Sequence, residues 1–365
     1  MTSMRIALLA SSRHPVREPF QGGLEAHVWQ LTKTLKQDGH DVTLFAGPGS
    51  DGNLSCDLID VRPAPTSSAA RKDISMPPER FMDEHHAYLD LMLRLSNELA
   101  GQFDVVHNHS LHYLPVAMAR TLATPLLTTL HTPPTPWLES AIAAGGKRGR
   151  FAAVSQHTAK SWEHATGAVD VVPNGVNTDV WAPGPGGNRL IWFGRIVPEK
   201  GADRAIAASR AVDMPLALAG PISDTEYFSE MIEPHLGNNV QYLGHLSSSE
   251  LCSAVGQSAV ALVTPLWDEP YGLVIAEALA CGTPVVAFEK GGIPEILTPD
   301  CGRLVQPDHI DEIASAIAEA TTLPRSAART RAVTHCSQRA MVDRYTDIYR
   351  ELICATANTR EVNRR

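Results

Sequence analysis

Short apolar runs of strand length alternate with longer stretches of helical periodicity along most of the chain. This alternation is typical of a parallel β-sheet built from βαβ units. It is interrupted once, by a proline- and glycine-rich segment at residues 181–188, and then begins again. Because 365 residues exceed the size at which one hydrophobic core usually stops growing, we predict an α/β protein with two doubly wound domains, residues 1–183 and 184–338.

The apolar runs mark the predicted strands, and each half is expected to be Rossmann-like, with a cleft between the two halves. In the first half the strands are predicted at residues 5–10, 41–46, 103–107, 125–130, 151–154 and 169–172. In the second half they are predicted at residues 190–193, 216–219, 240–243, 260–263 and 285–288. Helices are predicted between them, for example at residues 24–36 and 79–99. A last helix with one apolar face is predicted within residues 339–365.

Composition excludes several classes of protein. The formal net charge of −9 argues against nucleic-acid binding, which needs a basic face. The 6 cysteines show no C-x-x-C pair, so we expect reduced thiols and a cytoplasmic location. No apolar run approaches the roughly 20 residues that span a bilayer, and no signal-peptide pattern is present. The basic cluster of Lys147, Arg148 and Arg150 is interpreted as a solvated loop, although peripheral membrane contact through it stays open. The oligomeric state also stays open.

The most specific motif is WDEPYGLVIAEALACGTP at residues 267–284. It places Glu269 in a loop and Glu277 in the helix that follows. The amides of Gly272, Leu273 and Val274 lie at the predicted helix N-terminus, where unpaired N–H groups and the helix dipole favour a phosphate. Two carboxylates beside a phosphate site suit the hydroxyls of sugar rings.

A second motif, FGRIVPEKG at residues 193–201, also follows a predicted strand. It brings Arg195 and Lys200 to the same edge of the sheet. Ligands of open α/β sheets bind at this carboxyl edge. Two cations there are suited to a diphosphate, and they would neutralise the charge that grows on a leaving nucleotide.

Together, E-P-Y-G-L-V-I-A-E-A and the upstream G-R-x-x-x-x-K-G resemble the family 4 retaining glycosyltransferases, which have the GT-B fold. The resemblance covers most of the chain. It implies two Rossmann-like domains facing each other across a cleft, with a C-terminal helix that crosses back to the first domain. It implies an enzyme that transfers a sugar from a nucleotide-diphosphate sugar to an acceptor hydroxyl without a metal or other cofactor. Uridine, guanosine and adenosine diphosphate sugars are all donors in the family, and UDP is expected here because it is the commonest, which leaves the base and the sugar open. The acidic composition favours a soluble acceptor of open identity.

The resemblance also implies roles for individual residues. Glu269 would bind donor-sugar hydroxyls, Glu277 the ribose, and Arg195 and Lys200 the diphosphate. The family holds the nucleotide base largely through backbone atoms, which here would be those of Gly244, His245 and Leu246. The remaining donor-binding residues implied by the family pattern are Gly22, Gly23, Tyr271, Gly272, Leu273 and Val274.

The first half supplies the acceptor side. Gly22 and Gly23 open a helix with Glu25 in its first turn, but they are not part of a G-x-G-x-x-G dinucleotide fingerprint. In VVHNHS, His107 and His109 share one side of an extended chain, and the resemblance places His109 near the reacting end of the sugar. His131 either lines the acceptor site or is a satisfied buried histidine. No spacing in the sequence indicates a third metal ligand beside His107 and His109, so no metal site is predicted.

Three rival functions remain open from the sequence. An inverting transferase or an epimerase of the same architecture would need a dedicated base in the first domain. A non-catalytic sensor of nucleotide sugars would be expected to lack one of the four charged residues, and all four are present. A dehydrogenase would need the missing glycine fingerprint. Whether the transfer is concerted or passes through an ion pair is not encoded in these motifs.

Overall fold

We analysed a computed structural model, which describes residues 3–62, 65–75, 77–145, 149–307 and 309–362. Two members of the predicted basic cluster, Lys147 and Arg148, lie outside these residues. The third, Arg150, pairs with Asp170 and Glu351. No helix in the described parts of the chain combines the length and the apolar character needed to cross a membrane.

The first sheet has 7 parallel strands in the order β3-β2-β1-β4-β5-β6-β7. The strands are β1 (Arg5–Leu9), β2 (Asp41–Ala46), β3 (Cys56–Leu58), β4 (Val105–Asn108), β5 (Leu126–Leu130), β6 (Arg150–Ala153) and β7 (Asp170–Val171). The α-helices between them are α1 (Gly23–Gln37), α2 (Glu79–Ser96), α3 (Leu114–Ala117), α4 (Pro136–Gly145) and α5 (Gln156–Thr166). Chain order reverses between β1 and β4, and this is where a doubly wound sheet opens a ligand crevice.

The second sheet repeats this topology with 6 parallel strands in the order β10-β9-β8-β11-β12-β13. Its strands are β8 (Leu190–Phe193), β9 (Leu216–Ala219), β10 (Val240–Tyr242), β11 (Val260–Val263), β12 (Val285–Phe288) and β13 (Gly302–Val305). Its helices are α6 (Ala202–Ala211), α7 (Thr225–Tyr227), α8 (Ser248–Gly256), α9 (Leu273–Ala280), α10 (Ile293–Ile296), α11 (Ile310–Ala320) and α12 (Arg325–His335). The predicted boundary at residue 184 lies between the two sheets.

The last helix, α13 (Gln338–Val362), leaves the second domain and packs on the first. Its apolar side joins the core beneath β1 and α1, with Tyr345, Ile348 and Tyr349 fully buried. An amphipathic helix gains most of its stability from such burial. The predicted crossing of the C-terminal helix back to the first domain is confirmed.

The predicted elements agree with the structure except at the ends of strands and helices and at the sheet edges. Strands β3 and β13 were not predicted, and each lies at an edge of its sheet. An edge strand is covered on fewer sides, so it needs no continuous apolar run; β3 reads CDL and β13 reads GRLV. Helix α2 ends at Ser96, three residues before the predicted end.

Candidate active site

The carboxyl ends of the two sheets face each other across a cleft with a cavity of about 470 Å³. This volume is in the range of ordinary small-molecule sites. Both domains line it, the first through the turn at Gly22 and the second through the loops that follow β8 and β11. The ligand crevices of two doubly wound sheets therefore merge into one site.

Helix α9 begins in this cavity. Gly272 caps it with a φ of 100°, in the left-handed region, where a side chain would be strained. The helix starts abruptly after this turn, and its first amides have no acceptor inside the helix. They form, with the positive end of the helix dipole, an anion site on the cavity wall.

The loop that holds Glu269 is held in place by contacts with the turn after β12. The amide of Gly292 donates to the carbonyl of Glu269 at 2.7 Å. Gly291 has a φ of 60°, and a Cβ there would lie 2.1 Å from the Glu269 carbonyl oxygen. Only glycine permits this approach, so the turn after β12 fixes the position of the carboxylate.

The two motifs meet at an ion pair. Lys200 Nζ lies 2.5 Å from Glu269 Oε2, and the indole N–H of Trp267 donates to the same oxygen at 3.0 Å. The ammonium group also lies 4.9 Å from the Trp267 ring centre. Glu269 and Lys200 therefore neutralise each other.

Arg195 is the cation of the cleft that lacks such a partner. It is half-buried, and no hydrogen bond or ion pair joins it to another residue that the structure describes. A Cβ on Gly22 would lie 3.7 Å from Arg195 Nε, so the guanidinium reaches the turn of the opposite domain. A half-buried positive charge without a counterion is suited to an anionic ligand.

Glu277 projects from α9 into the same cavity. Within the described residues its carboxyl group has no hydrogen-bonding or ion-pair partner. Burial raises the pKa of Glu277 to about 8. Hydroxyl groups of a ligand would supply the donors that this carboxyl group lacks.

Models of two families match the chain. "Glycosyltransferase Family 4" matches residues 21–180, and "Glycosyl transferases group 1" matches residues 178–334. A phosphatidyl-myo-inositol mannosyltransferase of Mycolicibacterium smegmatis is 27% identical over 343 residues, covering 86% of this chain and 84% of that protein. A glycogen synthase of Mycobacterium tuberculosis is 26% identical and covers 89% of this chain and 88% of that protein.

The chain belongs to glycosyltransferase family 4.

Solved structures place this glycosyltransferase in the GT-B fold. Sucrose-phosphate synthase from Thermosynechococcus elongatus superposes with a TM-score of 0.78 at 20% identity, covering 96% of this chain and 100% of that one. HepE from Anabaena, solved with UDP-glucose, superposes with a TM-score of 0.76 at 18% identity and the same coverage. The family and the fold predicted from the motifs are confirmed.

The glycine turn of this family 4 enzyme touches the second domain directly. A Cβ on Gly23 would lie 3.0 Å from Leu273 Cδ1, at the start of α9. A larger residue at this position would require the Leu273 side chain to shift. The turn therefore sets how closely the first domain approaches the anion site.

Further hydrogen bonds join the two domains of the transferase. His245 Nε2 donates to the carbonyl of Phe20 at 2.8 Å, and Ser155 Oγ donates to the carbonyl of Pro270 at 2.6 Å. Of the three residues predicted to hold the base, His245 and Leu246 line the cavity, whereas Gly244 does not. The His245 side chain is already used for the domain contact.

Tyr271 was predicted to bind the donor, and the structure places its hydroxyl elsewhere. The residue is 4% exposed and its ring belongs to the core of the second domain. The hydroxyl lies next to Cys336, and burial raises its pKa well above the ordinary value. Tyr271 therefore shapes the cavity wall through packing and does not offer its hydroxyl to a donor.

His109 was predicted beside the reacting sugar, and this placement needs correction. Its side chain is fully buried and does not line the cavity. His131 lies between it and the cleft, with 2.8 Å between His109 Nδ1 and His131 Nε2. Of the two histidines, His131 is the one that a ligand can reach.

The wall of the cavity that the first domain forms contains both predicted and unpredicted groups. Glu25, which was predicted, lines the cavity, and burial raises its pKa while the nearby Arg195 opposes this. Arg13 and His14, in the loop after β1, line the same wall. Their position directly after a buried strand was the available signal. His27 on α1, a third histidine beside His109 and His131, was missed because helix spacing alone does not show what a helix faces.

Proposed function

We propose that this enzyme transfers a sugar from a nucleoside-diphosphate sugar, with UDP as the nucleotide, to an acceptor hydroxyl with retention of anomeric configuration. The observation that carries this proposal is that Arg195, which has no ion-pair partner among the described residues, and the N-terminus of α9 line one cavity. Both domains line that cavity. A diphosphate between Arg195 and the α9 amides would satisfy both.

The ion pair between Lys200 and Glu269 suggests how the donor enters. A diphosphate would draw Lys200 away from Glu269, because two phosphates carry more charge than one carboxylate. Glu269 would then be free to accept hydrogen bonds from hydroxyls of the sugar. The bound donor would thus replace the ion pair between Lys200 and Glu269 with contacts from Lys200 to the diphosphate and from Glu269 to the sugar.

Glu277 would bind the ribose, since it projects from the helix whose N-terminus holds the phosphates. The choice of UDP is supported by the HepE structure, which contains UDP-glucose. The predicted base site near Leu246 lies on the same wall. A cytoplasmic location is part of the same proposal, and the free cysteines of the structure support it.

The chemistry that these residues support is displacement of the diphosphate. The bond from the anomeric carbon to the diphosphate oxygen breaks, and a bond to the acceptor oxygen forms on the same face. The acceptor proton passes to the departing diphosphate oxygen. Arg195, Lys200 and the α9 amides stabilise the negative charge that grows on that leaving group, and such preorganised groups act more strongly on the transition state than on the substrate. Because cations occupy the diphosphate site, we propose that no metal is needed there.

The acceptor would lie against the first domain, between Glu25 and His131. Both groups can bind hydroxyls, so we propose a soluble acceptor with several of them. Glu25 also favours one alternative. A buried carboxylate on the acceptor side could act as the base of an inverting transferase.

A thermal-shift screen and one product analysis test this proposal. We expect UDP and a UDP-sugar to raise the unfolding temperature in the presence of EDTA, since a ligand of the native state stabilises it. Stabilisation by none of the UDP, GDP and ADP compounds would overturn the donor site. NMR of the product anomer then separates the mechanisms, because an inverted product would exclude retention and favour the alternative in which Glu25 acts as the base.

A further inference from the structure

Three histidines converge beside the cleft from separate elements of the first domain. His27 comes from α1, while His109 and His131 follow β4 and β5. Their potential ligand atoms all lie within 4.8 Å of one another. The three ring centres form a triangle whose sides are each 5.1 Å.

His27 has no evident structural reason for its polarity. It is 3% exposed, and neither ring nitrogen has a hydrogen-bonding partner in the described structure. Leaving a buried polar group unpaired is costly, and an apolar side chain would avoid this cost. Burial lowers the pKa of His27 to about 4, so its imidazole is neutral and keeps a free lone pair.

The other two histidines are neutral for the same reason. Burial, followed by the neighbouring histidines, places the pKa values of His109 and His131 well below the ordinary value. Neutral imidazole is the form that ligates metal ions. Each neutral ring has one nitrogen without a proton, and this is the atom that can bind a metal ion.

Further hydrogen bonds orient His109, which is the most deeply buried of the three histidines. His109 Nε2 lies 3.1 Å from His107 Nδ1, which also bonds the Tyr349 hydroxyl at 2.6 Å. His107 Nε2 bonds Thr129 Oγ1 at 2.8 Å. In the matching tautomers, His107 donates to Thr129 and accepts from His109, which leaves His109 Nδ1 as a lone pair directed at the cluster. Histidines that bind metals are commonly fixed by such outer partners.

We propose that His27, His109 and His131 bind one divalent transition-metal ion of the zinc type. Imidazole nitrogen suits zinc and its first-row neighbours, whereas magnesium and calcium prefer oxygen ligands. Zinc–nitrogen bonds of about 2.0–2.1 Å in a tetrahedral arrangement place the imidazole centres roughly 5 Å apart, close to the triangle found here. The fourth position would open toward the cavity, since His131 lines it.

This ion is distinct from the metal that some transferases use to hold a diphosphate. It belongs to the first domain, on the acceptor wall, whereas Arg195 and Lys200 belong to the donor wall. In the metal-free state His109 and His131 share one hydrogen bond. Metal binding requires His131 to move that proton from Nε2 to Nδ1, and no net proton is released.

The test is direct metal binding by protein purified without a histidine tag and dialysed against a chelator. We expect isothermal titration with ZnCl2 to give one site per chain, and CoCl2 to give the intense visible absorption of a tetrahedral ion. The variant H27Q should weaken zinc binding by more than about 100-fold. Its control is H40N, because His40 is also buried in the first domain, and its side chain has the amide of Met4 as its one hydrogen-bonding partner among the described residues.

Each outcome decides the proposal. Failure of the wild-type protein to bind zinc or cobalt would overturn it, as would binding that H27Q leaves unchanged. If H27Q does not fold, as judged by its thermal transition without metal, H131Q provides the second variant. UDP binding is measured in parallel, so loss of the metal proposal and loss of the donor site give different results.

Discussion

Lys200 Nζ and Glu269 Oε2 lie 2.5 Å apart, although one residue follows β8 and the other follows β11. The cation proposed for the diphosphate and the carboxylate proposed for the sugar are therefore partners of each other. Both side chains are largely buried, with 22% and 15% of their surfaces exposed. Removing either one leaves the other as an uncompensated charge.

This relationship predicts the effect of changing Glu269 to glutamine. Transfer should fall by about 100-fold, because contacts to the sugar in the transition state are lost. UDP affinity should stay the same or rise, because Lys200 no longer has to break an ion pair with a carboxylate before it binds the diphosphate. Steady-state rates and calorimetry with UDP measure the two effects. The neighbouring D268N, at an exposed position, is the control, and equal losses of transfer and UDP binding in a folded E269Q protein would contradict the assigned role.

Changing Arg195 to alanine tests the diphosphate site. UDP affinity should fall by about 10-fold to 100-fold, as expected for loss of a charge-assisted contact, while affinity for uridine, which has no phosphate, should not change. Calorimetry with both ligands gives the comparison. Arg210 on α6 is exposed and bonds His235, so R210A serves as the control. A parallel loss of uridine binding in R195A would show that Arg195 supports the fold of the site instead.

The meeting of four charged residues at one cavity could be predicted from the sequence, because they belong to short motifs that follow buried strands. Arg195, Lys200, Glu269 and Glu277 all line one cavity as expected. The direction of a side chain within a motif was harder to predict. Tyr271 stands between cavity residues, yet its hydroxyl faces the core, and only tertiary packing decides this.

The histidine cluster shows a second limit. His109 and His131 each follow a strand, so their neighbourhood could be inferred from sheet topology. His27 joins them only through the angle at which α1 packs on the sheet, and no sequence spacing encodes that angle. The burial of His109 beneath His131 also depends on α13, whose tyrosines lie more than 200 positions further along the chain.

The raised pKa of Glu277 predicts a dependence of stability on pH. The folded state binds this proton up to a pH of about 8, whereas an unfolded glutamate releases it near 4.3. The folded protein thus binds more protons between these values, and its stability falls as the pH rises through that window. E277Q removes this loss, so its unfolding temperature should exceed that of the wild type by several degrees at pH 8 and by little at pH 5.

The measurement is thermal unfolding of both proteins across this range, with and without UDP. Bound ribose hydroxyls would stabilise the ionised carboxylate, so UDP should flatten the pH dependence of the wild type. A constant difference between the two proteins at every pH would show that Glu277 is not protonated in the free enzyme.

The contact between Tyr349 and His107 predicts that the C-terminal helix supports the acceptor side. Y349F removes the hydroxyl that lies 2.6 Å from His107 Nδ1, and with it one of the groups that orient His109 and, through it, His131. We expect a several-fold lower transfer rate with unchanged UDP affinity, and a loss of about 1 kcal/mol in stability. Y227F is the matched control, because Tyr227 also loses a hydrogen bond, to Asp203, but lies in the second domain. If both variants lower the stability equally and neither lowers the transfer rate, then α13 contributes packing alone, and the histidines keep their orientation without its hydroxyl.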